Sequence, residues 1–488
     1  MNEYWVEAVT RDYIAFHAAA RPDALAVSHR GRLISYAALN RTLRAMMRSL
    51  SDLSLPQGSR AAIAYNDIYG HLLLLLAFER LGIATTSYQP IGDDGFRRIP
   101  SFFDLIVTES QCRLDPTPYL AVTKDWLETA MARPDVDQAM PPTPPDNIPT
   151  RLLCTSGTTG TVKWLQIPRR AQEAMINERI RNFAITTRSQ YLFTMPFHVR
   201  AVFEFISACL RAGGTIVCAD RDRWLGLMSS AGITHAILLP TVLAQLLEEL
   251  PANFEKPAEL TLLTFGAHLP PSLRKRSLAR LATNICDIYG TIEVGSICES
   301  WREEDRGFGT LLPKAEAEVV DEQGALVTPG TPGRIRVRTA FMSDGYLYDP
   351  ERTRDMFRDG WFYPGDIGLM DDHGRLRVLG RTDDMLNIGG RKYLPAVLEE
   401  LIHAEVSVDD VGVSSLPNQQ GIEQLWIGVA AAHLNEAEAA ERIGHVLARH
   451  RIDAAEVRRL DRIPRSASGK ILRDPLKHTL AAAAGRKA

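Results

Sequence analysis

Between Cys154 and Trp164 the chain reads CTSGTTGTVKW, a concentration of the residue types that grip phosphate. Gly157 and Gly160 permit tight curvature and close approach of a ligand. Thr155, Ser156, Thr158, Thr159 and Thr161 bring hydroxyl donors, and Lys163 adds a point charge. A surface loop of turn formers would share this composition. The spacing departs from a Walker A loop, in which lysine directly follows the second glycine: here Lys163 stands three places after Gly160 and is followed by Trp164. The stretch therefore reads as a nucleotide-triphosphate loop of another kind.

Four further constellations carry chemistry. In DIYGTIEVG, from Asp287 to Gly295, a glycine turn behind a strand precedes the Thr291 hydroxyl and the Glu293 carboxylate. A carboxylate near a phosphate loop calls for a cation between them, and Mg²⁺ is the economical one; alone, Glu293 would read as a surface glutamate. In GWFYPGDIG, Asp366 follows a proline-glycine turn and suits acceptance of two ribose hydroxyls, or capping of the turn. GRTDDMLNIGGRKYLP, from Gly380, has the glycines and aspartates of a hinge at a change in composition, with Arg381 and Lys392 as ligands or solvated charge. PRSASGKILR, from Pro464, bears Lys470, whose ammonium suits charge developing on a pentavalent phosphorus. His198 closes the strand-like MPFH with no nucleophile spaced to use it as a base, so it reads as a gate or pocket wall beside the catalytic groups. No spaced histidine or cysteine set for zinc is present.

The elements that must position these residues follow from patterning. The chain has 488 residues, too many for one ordinary core. Short apolar runs (SRAAIAY, FFDLIVTES, YLFTMPFH, GGTIVCAD, HAILLP, LTLLTFGAH) alternate with helical stretches, the signature of buried parallel sheets in an α/β fold. Ligands in such sheets collect at the carboxyl ends of strands, so Cys154, His198, Pro240, Gly266 and Ile288 are expected around one crevice. From Trp301 period-two alternation and Gly/Pro turns predict an antiparallel meander or small barrel-like part, and the residues beyond Gly380 read as a small α+β domain. HLLLLLAFERLGIA is interrupted by Glu79 and Arg80 before membrane-spanning length. The formal net charge of −3 argues against a nucleic-acid partner, six scattered cysteines fit a reducing compartment, and the N-terminus lacks a basic-then-apolar leader. A cytoplasmic protein with no membrane partner is expected, and a homodimer is compatible with the sequence.

With these motifs in their order, the chain resembles the adenylate-forming superfamily of acyl-CoA synthetases, peptide-synthetase adenylation domains and luciferases over essentially its whole length. The resemblance implies a large N-terminal AMP-binding domain (1–380), a hinge (381–384) and a mobile C-terminal lid (385–488). It implies that Thr155 to Lys163 grips the β- and γ-phosphates of ATP, that Gly266 and Ala267 pack beside adenine and acyl group, and that Asp287, Tyr289 and Gly290 form the adenine side. Thr291 would meet the α-phosphate, Glu293 Mg²⁺, and Asp366 with Arg381 the ribose. Asp383 would be the hinge residue, Gly390 would flank the pantetheine passage, and Lys470 would bridge carboxylate and α-phosphate. The implied reaction is adenylation of a carboxylic acid with loss of pyrophosphate, then acyl transfer to the CoA thiol with loss of AMP.

Departures qualify this. Val162 and Trp164 flank Lys163 where proline and glycine are usual, Arg334 replaces a frequent glutamate, Ala201 a frequent glycine, and Lys392 an arginine near the CoA phosphates. Phe197-His198 stands where the amino-acid branch carries FDxS, so the acid is expected to lack an α-amine: an aryl or short-to-medium-chain acid. Loading of a carrier protein's phosphopantetheine in place of CoA, and a non-catalytic adenylate-binding homologue, are the alternatives.

Overall fold

The computed structural model describes residues 8–88, 100–109, 118–133, 142–156, 162–267, 269–305, 307–418, 420, 422–466 and 469–485. Two large mixed sheets dominate. In the first, of seven strands, Ala84–Ser87, Arg60–Ala64, Leu105–Thr108 and Tyr119–Ala121 run parallel, and Pro149–Ser156 joins them before turning back as the antiparallel strand Val162–Pro168. In the second, of nine strands, Leu25–His29, Thr215–Cys218, Gln190–Phe193, His235–Leu238, Thr261–Phe265 and Asn284–Thr291 form a parallel centre with antiparallel edges. The central strands are short and buried on both faces, as their unbroken apolar runs require.

One core serves both sheets. Ile63, Leu105 and Val107 of the first share it with Val27, Tyr191 and Ile216 of the second, through the helices Tyr36–Ser51, Ile68–Leu81 and Arg200–Ala212. The run of leucines that could suggest a membrane is the middle of Ile68–Leu81, buried on all sides. Asp67 caps it by accepting from the Gly70 amide at 2.8 Å, and Gly82 ends it at φ +74°. Among the described residues no helix is long and apolar enough to cross a membrane.

The period-two region forms a six-stranded antiparallel sheet around Ala317, Val319, Ile335, Val337, Phe362 and Leu376. Further on, Leu386–Ile388 and Arg391–Tyr393 make a hairpin, and Asp410–Pro417, Glu423–Ala430 and Ala455–Arg459 make a three-stranded sheet packed by the helices Pro395–Glu405, Glu436–Arg449 and Arg473–Ala483. Its core of Leu398, Ile402, Val413, Ile427 and Leu447 is separate from the core of the large sheets.

Glu79, inside that buried helix, has a measurable consequence. Gln172 donates to one of its oxygens at 2.5 Å, and burial, opposed in part by the Arg211 charge and the Thr10 hydroxyl, pushes its pKa from 4.5 up to about 7. The folded state therefore holds a proton that the unfolded state releases. The contribution is full below about 4.5 and is lost as pH rises through about 7. The shift corresponds to about 3 kcal/mol. Glu79→Gln is expected to remove this slope, so that urea unfolding of the variant at pH 5 and pH 8 gives closer stabilities than the wild type. A wild-type stability independent of pH over this window would contradict the assignment.

Candidate active site

The strands of the nine-stranded sheet end in register. Leu238 pairs with Thr264, and Thr264 with Asp287, whose carboxylate accepts from the Thr264 hydroxyl at 2.7 Å. Just beyond, Gly266 adopts φ +83°, and Ala267 follows it half-buried. Gly290 is not the turn expected from its motif but lies inside Asn284–Thr291, where a Cβ would come within 2.4 Å of the Gly295 carbonyl oxygen. The strand's close antiparallel return requires glycine there, and the chain reverses over 292–294.

Two tyrosines hold the two key carboxylates. Tyr289 donates to Asp366 Oδ2 at 2.5 Å, and Arg381 reaches Asp366 Oδ1 at 3.4 Å across the pair Asp366↔Arg381. Tyr346 donates to Glu293 Oε1 at 2.8 Å, and Lys163 Nζ sits 6.0 Å from the Tyr346 ring centroid. The strand Tyr346–Leu347 pairs with Trp164 and Leu165, which fixes that proximity. Thr291 Oγ1 is buried with no hydrogen-bond partner. A buried orphan hydroxyl beside a carboxylate bonded through one oxygen suits a bound phosphate and Mg²⁺, which takes one or two carboxylates together with phosphate oxygens. Among the described residues no three His, Cys, Asp or Glu gather as a metal cage.

The expected loop lies largely outside the described residues: Gly157, Thr158, Thr159, Gly160 and Thr161 are not described. Its two stems are, with Thr155 opposite Lys163 and Ser156 opposite Val162 in the backbone ladder. Trp164, the bulky departure, packs edge-on against Phe102 (5.5 Å) and Phe103 (5.4 Å), a structural anchor for the outgoing stem.

Charge ties these residues to one region. Burial raises the Asp366 pKa, opposed by the Tyr289 hydrogen bond and by the charges of Arg381 and Lys470, while Glu293 adds to the rise. Burial lowers the Lys163 pKa, helped by Arg352 and opposed by Glu293. Tyr289 and Tyr346 are both pushed upward, first by burial and then by Asp366 and Glu293, so both stay protonated donors. Lys470 is exposed on a loop where Gly469, at φ +86°, is so close to Thr241 that a Cβ would come within 2.6 Å of its methyl.

His198 follows Phe197, whose carbonyl accepts from the buried Arg151 at 2.9 Å; burial on its inner side and then the Arg151 charge lower the His198 pKa, although much of the ring reaches solvent. Asp383 is 3.8 Å from Arg381. Gly389 and Gly390, both at positive φ, make the two-residue turn of the hairpin, and Lys392 lies 3.4 Å from Glu322 Oε1.

A family profile described as AMP-binding enzyme matches residues 106–347, the span holding the glycine loop, Asp287 to Glu293 and Tyr346. The chain belongs to this adenylate-forming family. It is 27% identical over 404 residues to an indoleacetate–CoA ligase of Aromatoleum aromaticum, covering 79% of this chain and 77% of that one. In fold it is similar to the amide bond synthetase McbA of Marinactinospora thermotolerans, with a TM-score of 0.81, 20% identity and coverage of 96% and 99%. It is likewise similar to the O-succinylbenzoate coenzyme A synthetase MenE of Bacillus subtilis in complex with ATP and magnesium, with a TM-score of 0.80, 22% identity and coverage of 95% and 99%.

In this adenylate-forming enzyme, sequence reasoning passed over Tyr346 and Arg352. Tyr346 holds Glu293, and Arg352 adds its charge beside Lys163; neither stands in a motif that announces it. The Tyr289 bond is testable. Tyr289→Phe removes a donor to a charged acceptor, a change of about 2 kcal/mol, so titration with a fluorescent ATP analogue is expected to show affinity lower by about thirtyfold. Because the hydroxyl holds the Asp366 pKa down, its loss raises that pKa and the deficit grows as pH falls. Equal affinities at pH 6 and pH 8 would sink this role.

Proposed function

We propose that this chain is an ATP-dependent carboxylate–CoA ligase acting on an aryl or short-to-medium-chain acid without an α-amine, in the cytoplasm. The observation that carries this reading is the gathering of Lys163, Thr291, Glu293, Asp366, Arg381 and Lys470, with Thr291 left an orphan hydroxyl and both carboxylates held by tyrosines. The similarity to a CoA ligase of an aryl acid and to a synthetase that takes ATP and magnesium supports it.

The roles are those that charge and position suit. Asp366 and Arg381 take the ribose, and Asp287, Tyr289 and Gly290 with Gly266 and Ala267 form the adenine and acyl walls. The loop from Thr155 to Lys163 (through Ser156, Gly157, Thr158, Thr159 and Gly160) grips the leaving pyrophosphate. Glu293 and the phosphate oxygens would hold Mg²⁺, which when bound neutralises phosphate charge. Thr291 donates to the α-phosphate and Lys470 bridges it to the acid's carboxylate. A carboxylate oxygen attacks the α-phosphorus, the bond to the bridging β-oxygen breaks, and pyrophosphate leaves. The thiol sulfur of CoA, its proton lost, then attacks the acyl carbon, the bond to the AMP oxygen breaks, and AMP leaves. Orientation and charge neutralisation suffice, without a protein nucleophile. His198 walls the acyl end. Rotation about Asp383 exchanges Lys470 for the hairpin with Gly390 and Lys392, which would face the pantetheine and CoA phosphates.

The test is pyrophosphate release over a panel of carboxylic acids, with CoA then added and product masses read. Acid-dependent release followed by acyl-CoA is the expected result. No release with any acid would overturn the reading. Release without acyl-CoA would move the acceptor to a carrier protein's phosphopantetheine or, if an added amine gives an amide, to an amine.

A further inference from the structure

The reversal at 292–294, between the Thr291 hydroxyl and the return strand Gly295–Ser300, has all three of its carbonyls bound by groups distant in sequence. Glu293 O accepts from the Ser343 amide at 2.8 Å, and Val294 O from the Thr339 hydroxyl at 2.7 Å. Ile292 O accepts from Arg200 NH1 at 2.6 Å, the one charged donor of the three. The same guanidinium donates through NH2 to Phe341 O at 2.8 Å and through Nε to Glu204 at 2.8 Å, and Arg200 is only 8% exposed. Arg200 thus joins the reversal to the segment 339–343, which also supplies the Thr339 and Ser343 donors and leads to Tyr346, the residue that holds the Glu293 carboxylate. The space is closed: at Gly295, φ +73°, a Cβ would come within 3.4 Å of Arg200 NH2 and 3.1 Å of Phe341 Cβ.

We infer that Arg200 is a positioning residue of the adenylation site: its fork fixes the Thr291–Glu293 reversal so that hydroxyl and carboxylate face phosphate and metal together. This rests on the metal role given to Glu293 above. The geometry favours positioning over mere core pairing because two of the three acceptors are backbone carbonyls of site-bearing segments. Only Glu204, itself shared with Arg179 at 3.5 Å, is an ordinary ion-pair partner. A planar fork can meet two carbonyls and a carboxylate in fixed directions, which an ammonium cannot.

The experiment uses the full chain, Mn²⁺ in place of Mg²⁺, and a non-hydrolysable α,β-methylene ATP, with bound Mn²⁺ read by electron paramagnetic resonance. Arg200→Met is expected to weaken nucleotide-dependent Mn²⁺ binding by about tenfold or more, since the charged bond to Ile292 O in the reversal alone accounts for a loss of that order, and Arg200→Lys to restore part of it. Glu204→Gln keeps both carbonyl bonds and is expected to bind Mn²⁺ within about twofold of wild type while melting lower. Where Arg200→Met does not fold, Arg200→Lys carries the comparison. Wild-type binding in a folded Arg200 variant, or a loss in Glu204→Gln equal to that in Arg200→Met, overturns the inference. A wild type that binds Mn²⁺ with the analogue yet releases no pyrophosphate with any acid would remove the proposed reaction and leave this comparison valid. A wild type that binds none removes both.

Discussion

Lys470→Ala is expected to lower acid-dependent pyrophosphate release by about 10²- to 10³-fold, while thioester formation from supplied acyl-adenylate and CoA stays within about threefold of wild type. The side chain is exposed and its loop is tied down independently of the ammonium: Arg465 donates to the Gly469 carbonyl at 2.7 Å and to Asp410 at 2.7 and 3.0 Å, and the Lys470 amide donates to Ser466 Oγ at 3.2 Å. Truncation therefore removes charge without unseating the loop. Its charge reaches Asp366, so the ammonium and that carboxylate share one region. Single-turnover measurement of each half-reaction checks the split, and equal loss in both would contradict the role given to Lys470.

Glu293→Gln is expected to cut the same first step by about 10²-fold and to raise the Mg²⁺ concentration for half-maximal rate. Glutamine keeps the shape and can still accept from Tyr346, so what disappears is the negative charge that the proposed role gives to the cation. The affinity for ATP measured without divalent metal is expected to be unchanged or improved, since a like charge beside the phosphates has gone. Initial rates across a Mg²⁺ series at fixed ATP, with thermal melts as a fold control, give the answer. An unaltered Mg²⁺ dependence with lowered rate would make Glu293 a structural residue.

Much of this site was legible because the chemistry is local. A glycine-hydroxyl-lysine loop, a Thr-x-Glu at 291–293, an aspartate after Pro364-Gly365 and a lysine in a glycine loop near the end each declare a residue type at a spacing. Short apolar runs with helical stretches between them gave the strands, since a strand buried on both faces must be apolar throughout. The residues that hold those groups were not legible. Arg151 and Arg200 stand in no motif that marks them, yet each is buried and donates to the backbone of another segment, and burial brings the Arg151 pKa down to about 10. Tyr346 lies past the period-two run, in a stretch that no motif marks.

By itself the sequence determined which side chains bring charge, hydroxyl and curvature, and which segments are strand or helix, because those properties depend on residue type and near neighbours. Only the tertiary structure decided that Glu293 is held by Tyr346, 53 residues away, and Asp366 by Tyr289, 77 residues away. It alone showed Gly290 as a close strand approach and not a turn. Hydrogen-bond partners are chosen when sheets register and a shared core closes, and that choice is made by packing across the whole chain, which no local pattern encodes.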